Sequence, residues 1–226
     1  MRGNLQWRTL SGTLTADNRD AFAHIDQAHV GLYLIADGSS SHPYSGELAK
    51  ALIAQLTLSF KSLPVVELNA QQLAATLLRV IANSRQTLRE EHPVAACSYL
   101  LLCLLGETAF SIHEGDCCLG LIQPGGKVNW LSSVHCAPNW QGTLSHAEIA
   151  RQPSRHRLTR CFSARRVSNP EINYWPVSPS QHWLLASDGF WASLSSEEQL
   201  TFMHGGDLPT PPSDDITYLS VVAPPT

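Results

Sequence analysis

Two apolar segments of this chain end in the same Asp-Gly pair, and this feature limits its possible folds most strongly. They are Gly31-Leu-Tyr-Leu-Ile-Ala-Asp37-Gly38 and Trp183-Leu-Leu-Ala-Ser-Asp188-Gly189. Short apolar segments bounded by turn residues are typical of strands that are buried on both faces. Such strands carry the residues that follow them to the edge of a sheet, so we expect these two carboxylates to lie close together.

Three further aspartates occupy similar positions along the chain. Asp20, Asp116 and Asp214 lie at the ends of strand-like segments or in the turns between them. Carboxylate oxygens are the ligands that Mg²⁺ and Mn²⁺ prefer in proteins. The five aspartates together predict a site for hard metal ions.

The composition indicates an ordinary globular domain. The chain has 226 residues, of which 43% are hydrophobic, and a net charge of −4. We expect one domain over residues 1–226, because single domains of mixed α and β structure often reach this size. Only 15 Lys and Arg residues are present, so a nucleic-acid partner is not expected. No signal peptide or membrane-spanning segment is predicted, so we expect a cytoplasmic protein without a membrane partner.

Strands and helices alternate in the predicted pattern. Helical spacing of leucines predicts a helix that Ser45 caps and a second helix over 69–91. The apolar segment 95–105 predicts a central strand, and shorter strands are expected over 108–113, 117–123, 128–131, 182–186 and 216–222. Residues 132–179 are rich in Pro, Arg and His and predict a loop-rich surface segment.

The cysteines and histidines give weaker signals. None of the six cysteines shows CxxC spacing, so reduced and mostly buried thiols are expected. His135 with Cys136, or His113 with Cys117, has the residue types of a zinc site. Each pair lacks a second matching pair, which makes it weak evidence for zinc.

The ordered motifs of the chain resemble those of the metal-dependent protein phosphatases, the type 2C family, in a divergent bacterial branch. The resemblance spans nearly the whole sequence and implies an α+β fold, a four-layer α/β/β/α sandwich with two antiparallel sheets and flanking helices. The matching motifs are Asp17-Asn-Arg-Asp20, Ile35-Ala-Asp-Gly38 followed by Ser45-Gly-Glu-Leu-Ala49, Glu114-Gly-Asp116, Leu185-Ala-Ser-Asp-Gly189 and Asp214-Asp-Ile-Thr217.

The resemblance also implies roles for individual residues. Asp37 and the backbone carbonyl of Gly38 resemble the pair that bridges two central Mn²⁺ or Mg²⁺ ions, and Asp188 and Asp214 resemble their remaining ligands. Asp20 matches the early acidic position of the family. Asp116, in Gly-Asp-Cys rather than Gly-Asp-Ser, would share a third, weaker ion with Asp188.

The implied reaction is hydrolysis of phosphoserine or phosphothreonine in a protein substrate. A hydroxide that bridges the two central ions would attack phosphorus directly, without a covalent enzyme intermediate. The implied partner is a phosphorylated protein substrate. This substrate is a Ser/Thr kinase or one of the proteins that the kinase phosphorylates.

Two departures from the family pattern leave the binding of phosphate open. Thr15 stands where the family commonly has an arginine that holds the substrate phosphate, and Arg19 replaces an acidic or amide residue. Arg19 would either weaken metal binding through its charge or contact the phosphate itself. Because the aspartate set is complete, the chain is nevertheless expected to be an active phosphatase. A pseudophosphatase that acts as a binding module and a hydrolase of small phosphate esters are the alternatives.

The segment 132–179 matches the flap beside the active site of the family. Its Leu158-Thr-Arg-Cys-Phe resembles a recurring motif there. The five flap arginines would recognise an acidic phosphoprotein or simply be solvated; they are Arg155, Arg157, Arg160, Arg165 and Arg166.

Overall fold

The computed structural model describes residues 4–223 of the chain. Its strands are β1 (Leu5–Leu10), β2 (Asp20–Gln27), β3 (Val30–Gly38), β4 (Ala96–Leu105), β5 (Thr108–Glu114), β6 (Cys118–Ile122), β7 (Val128–Trp130), β8 (Phe162–Ser163), β9 (Glu171–Pro176), β10 (His182–Ala186) and β11 (Ile216–Val222). Its α-helices are α1 (Ser45–Lys61), α2 (Ala70–Glu91), α3 (His146–Ala150), α4 (Asp188–Trp191) and α5 (Ser196–Met203).

The strands form two antiparallel sheets. One sheet has the order β1-β11-β10-β6-β7, and the other has the order β2-β3-β4-β5-β9, with β8 paired to β4. Helices α1 and α2 cover the outer face of the second sheet, while α3, α4 and α5 lie on the outer side of the first. This arrangement confirms the predicted four-layer α/β/β/α sandwich.

The alternation of side chains along the central strands explains the layers. On β3, Leu32 and Leu34 pack under α1 and α2, whereas Tyr33 and Ile35 point into the space between the sheets. On β10, Leu185 points into that same space and Leu184 packs on the other side, toward α5. Each central strand thus needs apolar residues on both faces, which accounts for their continuous apolar segments.

The two long helices differ in how they begin. Asn69 caps α2 in a capping box with Gln72, as expected for a helix that starts near residue 69. Ser45 was expected to cap α1, and this prediction is wrong. Tyr44 precedes the helix without a side-chain cap, and the buried hydroxyl of Ser45 instead accepts a hydrogen bond from the backbone of Ala96. In the described part of the chain, no helix combines the length and apolar character needed to cross a bilayer.

The segment 132–179 contains more regular structure than its composition predicts. It includes α3, and its residues 171–176 form β9, which pairs with β5 along the edge of a sheet. Ile149 of α3 is fully buried against the first sheet. The expectation of a loop-rich segment therefore holds only between these elements.

Candidate metal centre

The first two aspartates of the site are brought together by strand pairing. Asp20 on β2 is the direct partner of Asp37 on β3, at the end of both strands. Gly38 follows Asp37, and a Cβ atom there would lie 2.5 Å from the backbone carbonyl oxygen of Ser45. The glycine is therefore required for α1 to pack this closely behind the carboxylates.

Asp188 reaches the same place from the opposite sheet. It is the first residue of the short helix α4, two residues after the end of β10, and is buried. The preceding residue, Ser187, donates a hydrogen bond from its hydroxyl to Oδ2 of Asp20 at 2.9 Å. A Cβ atom on Gly189 would meet the carbonyl oxygen of Asp215 at 2.1 Å, so this second Asp-Gly pair also depends on its glycine.

Asp116 is held by contacts to its backbone. The hydroxyl of Ser98 accepts hydrogen bonds from the backbone N–H groups of Asp116 and Cys117, at 3.0 and 2.7 Å. The indole of Trp191 donates to the carbonyl oxygen of Asp116 at 2.7 Å. These contacts fix the turn while leaving the carboxylate itself facing the cavity.

Asp214 and Asp215 have different positions and different partners. Asp214 lines the cavity, whereas Asp215 is buried and accepts backbone hydrogen bonds from Gly12 and Arg19, both at 2.7 Å. Asp215 thereby ties the segment before β2 to the start of β11. The sequence analysis missed this role, although the Asp-Asp pair itself was a visible signal.

The carboxylates strongly perturb one another. Burial, followed by the charge of Asp188, raises the pKa of Asp116 to about 8 and that of Asp214 to about 6. Burial also raises the pKa of Asp20 well above its usual value. For Asp37, burial comes first and the charges of all four other aspartates add to it, which raises its pKa in the same direction. Asp20, Asp37, Asp116 and Asp214 therefore favour bound cations or protons, and the charge of Asp188 contributes to the shift of each.

A cavity of about 550 Å³ opens above this group. Four of the five aspartates line it, while Asp20 lies deeper. The opposite wall consists of Ser39–Ser41 and flap residues that include Arg157, Arg165 and Arg166. The cavity thus joins a carboxylate floor to a partly basic wall.

Two basic side chains of the flap reach the carboxylates. Arg155 Nη1 donates to Asp188 Oδ2 at 2.5 Å, and His156 Nδ1 lies 3.8 Å from the same oxygen. Ligand atoms of His156, Asp188 and Asp214 lie within 4.8 Å of one another, a spacing that can hold one metal ion. The guanidinium of Arg155 thus places a positive charge against Asp188, at a point where a metal ion could also bind.

Arg19 has a structural position. It is buried, and its Nη1 donates to the carbonyl oxygens of Ser39 and His42 at 3.2 and 3.1 Å. Its Nε bonds to Asp17 at 3.3 Å. Thr15 donates from its hydroxyl to the carbonyl oxygen of Asp17. Arg19 thus holds the segment after Asp37, and its contact with phosphate remains a prediction.

A second polar cluster lies behind the turn that carries Asp116. His135 accepts a hydrogen bond from the backbone of Gly115 at 3.2 Å, and its other ring nitrogen contacts Glu171 at 3.0 Å. His113 stacks on His135 with ring centroids 4.6 Å apart and an interplanar angle of 10°. Stacked rings direct their nitrogen lone pairs in parallel rather than toward a shared point. We therefore regard this cluster as a hydrogen-bonded support of the Gly115 turn.

The structure brings all five predicted aspartates to one end of the space between the sheets, with Gly38 beside Asp37. Sequence reasoning missed the supporting residues, because each makes its contact through a distant part of the chain. These are Ser98, His135, Glu171, Ser187, Trp191 and Asp215.

The two-sheet sandwich with its carboxylate cluster at one end of the central space agrees with the class that the sequence motifs predict, the metal-dependent protein phosphatases. The family model described as protein phosphatase 2C matches residues 15–207. The chain belongs to the protein phosphatase 2C family, and it is therefore a phosphoprotein phosphatase by family, a hydrolase of phosphoric monoesters.

Individual relatives agree with this assignment. A Streptococcus pyogenes serotype M6 protein, named as a candidate protein phosphatase 2C-type, is 22% identical over 205 residues, which cover 87% of this chain and 82% of the relative. The solved structure of the serine/threonine phosphatase Stp1 from Staphylococcus aureus matches with a TM-score of 0.82 at 15% identity, over 99% of this chain and 96% of that one. The Mycobacterium tuberculosis serine/threonine phosphatase PstP/Ppp matches with a TM-score of 0.77 at 18% identity, over 99% and 100% of the two chains. These two structures support the fold.

Proposed function

We propose that this protein is a metal-dependent serine/threonine protein phosphatase that acts as a single catalytic domain over residues 1–226. The observation that carries the proposal is the convergence of five buried or half-buried carboxylates, in which the charges of the other four add to the effect of burial on the pKa of Asp37. We further propose that the protein is cytoplasmic, that its substrate is a phosphorylated protein, and that it opposes a Ser/Thr kinase.

The donor set fits Mn²⁺ or Mg²⁺. All five side chains offer oxygen, and Oδ1 of Asp20 is buried without a hydrogen-bond partner. Two central ions would be held by Asp37, the carbonyl of Gly38, Asp188 and Asp214, with Asp20 beside them. Asp116 and Asp188 would hold a third ion.

The chemistry follows from this arrangement. Ions held there would supply a water molecule of lowered pKa and would offset negative charge on the phosphoryl oxygens of a phosphoric monoester. Ser187 orients Asp20 through its hydroxyl, while Ser98 and Trp191 orient the Asp116 turn through backbone contacts. The chain thus positions the carboxylates, and no side-chain nucleophile is needed.

The cavity supports a phosphoprotein substrate. It is open to solvent above the carboxylates, and its flap wall carries several arginines that can face acidic groups of a bound segment. The role of Arg19 in phosphate binding is retained as a separate proposal, because two of its donor nitrogens already bond to neighbouring oxygens.

The test is phosphate release from a phosphothreonine peptide and from an aryl phosphate, each with Mn²⁺, Mg²⁺ or a chelator. Asp188→Asn should abolish turnover of both substrates, and Asp207→Asn, at an exposed position, should not. Turnover of the aryl phosphate alone would favour a small-ester hydrolase. A folded protein without turnover in any metal would favour a pseudophosphatase and overturn the proposal.

A further inference from the structure

Arg155 makes the shortest contact between the flap and the proposed metal ligands. Its Nη1 lies 2.5 Å from Oδ2 of Asp188, and the two side chains are only 11% and 5% exposed. A guanidinium placed this close to a carboxylate balances charge at a point where a metal ion would do the same. The contact therefore joins the flap directly to the carboxylate cluster.

The position of Arg155 is fixed by its surroundings. Helix α3 begins with a capping box between Ser145 and Glu148, and its Ile149 is buried in the core beneath the flap. The chain continues through backbone hydrogen bonds from Gln152 to Ile149 and from Arg155 to Gln152. Arg155 thus projects from a packed segment, unlike an arginine on a free surface loop.

The other candidates for phosphate binding are less suitable. Thr15 has no positive charge, and its hydroxyl is bonded to a backbone oxygen. Arg19 uses Nε and Nη1 to hold Asp17 and the carbonyl oxygens of Ser39 and His42. Arg155 already lies at the carboxylates around which the reacting phosphoryl group would bind.

We propose that Arg155 is an exchangeable cation that pairs with Asp188 in the metal-free protein and holds the substrate phosphoryl group in the metal-loaded protein. This inference rests on the proposed function. A divalent cation at Asp188 neutralises the carboxylate and weakens its attraction for Arg155. The phosphoryl group brings new anionic oxygens to the same place, and a guanidinium can bind two of them at once.

This exchange has two opposite consequences for binding. Removing the guanidinium removes a competitor for Asp188, so Arg155→Ala should bind Mn²⁺ about three- to tenfold more tightly than the native protein. The same change removes a charge-assisted contact to phosphate, so inorganic phosphate should bind about tenfold more weakly. A purely structural role would weaken both.

The experiment is calorimetric titration of Mn²⁺ into the metal-free protein, followed by inorganic phosphate into the Mn²⁺-saturated protein at concentrations where manganese phosphate stays dissolved. The variants are Arg155→Ala, Arg155→Lys and Arg151→Ala. The last removes an equal charge from an exposed position on the same segment. Arg155→Lys keeps the charge and should bind Mn²⁺ like the native protein, with phosphate affinity between native and Ala. If Arg155→Ala does not fold, this Lys variant decides the test through its phosphate affinity.

The two outcomes are distinct. Tighter Mn²⁺ and weaker phosphate binding in Arg155→Ala, with Arg151→Ala unchanged, support the exchange. Unchanged binding of both ligands, or weaker Mn²⁺ binding, would overturn it. These readouts need no turnover. If Arg155→Ala binds Mn²⁺ more tightly and phosphate more weakly, but the native protein hydrolyses no phosphopeptide, this inference stands and the proposed function is rejected. If the native protein hydrolyses the phosphopeptide but Arg155→Ala binds both ligands like the native protein, the proposed function stands and this inference is rejected.

Discussion

Asp20 and Asp37 stand directly opposite each other in the antiparallel pairing of β2 and β3. Two like charges in this position repel each other and destabilise the pairing of the strands. Ser187 offsets part of this cost by donating to one oxygen of Asp20, while the other oxygen is buried without a hydrogen-bond partner. The strand register thus creates a concentrated negative charge that a metal ion would stabilise.

The metal-free protein should lose stability as the pH rises from about 5 to 8. The folded pKa values of Asp214 and Asp116, about 6 and about 8, lie above the usual value of 3.8. These two carboxyl groups therefore hold more protons in the folded state than in the unfolded state over this range, and their contribution to the free energy of unfolding falls as the pH rises. The melting temperature measured in chelator should fall over this range, and saturating Mn²⁺ should restore it.

Asp116→Asn tests the source of this pH dependence. It removes one of the buried charges, so the fall in melting temperature between pH 5 and 8 should become smaller. At pH 8 the metal-free variant should melt at least about 2 °C above the native protein. An unchanged slope in Asp116→Asn would show that the carboxylate cluster is not the cause, and Asp207→Asn serves as the exposed control.

Asp215→Ala should destabilise the fold strongly. Asp215 accepts hydrogen bonds from two backbone N–H groups, of Gly12 and Arg19, and its loss leaves both without a partner. We expect a loss of about 3 kcal/mol, because hydrogen bonds to a charged group contribute about 1.5–3 kcal/mol each and are not fully additive. Chemical denaturation measures this change directly. Asp215→Ala within about 0.5 kcal/mol of the native protein would contradict the account.

Arg19→Ala should lower stability, and its effect on KM tests the proposed contact with phosphate. Loss of its bonds to the carbonyl oxygens of Ser39 and His42 should cost about 1–3 kcal/mol and loosen the segment after Asp37. If Arg19 also contacts phosphate, KM for a phosphopeptide should rise. A lower melting temperature with unchanged KM and kcat would leave Arg19 with a structural role alone, and Arg19→Lys shows whether charge is sufficient.

The central strands and the long helices could be predicted because their own residues determine them. β4 is apolar along almost its whole length, and α2 carries both its apolar stripe and its Asn69 cap. The placement of Asp37 and Asp188 at strand ends also follows from local patterns, since Asp37 is the penultimate residue of one buried strand and Asp188 follows the end of another by two residues. Such elements need no information from distant parts of the chain.

The remaining elements depend on partners that are far away in sequence. β1, β2 and β9 have mixed or partly exposed side chains, and each becomes a strand by pairing with β11, β3 or β5. The β-propensity of the residues is a weak guide to such strands, because packing against a neighbouring strand decides whether they form. The flap looked like a loop for this reason, although part of it completes a sheet.

The supporting residues of the site could not be predicted on the same grounds. Asp215 acts on Gly12 and Arg19, and Arg155 acts on Asp188 across 33 positions of the chain. Charged flap arginines are usually solvated, and nothing in the local sequence separates Arg155 from Arg157. The packing of α3 against the core brings Arg155 next to Asp188.

The most direct test of the central claim is the initial rate of phosphate release from a phosphothreonine peptide, measured for the native protein and for Asp37→Asn. Each is measured in Mn²⁺ and in chelator, and the fold of the variant is verified by its melting temperature. The account predicts turnover by the native protein in Mn²⁺ alone and a loss of at least about 100-fold in Asp37→Asn, since bound metal contributes several kcal/mol of transition-state stabilisation. Equal turnover in chelator, or by folded Asp37→Asn, would contradict it.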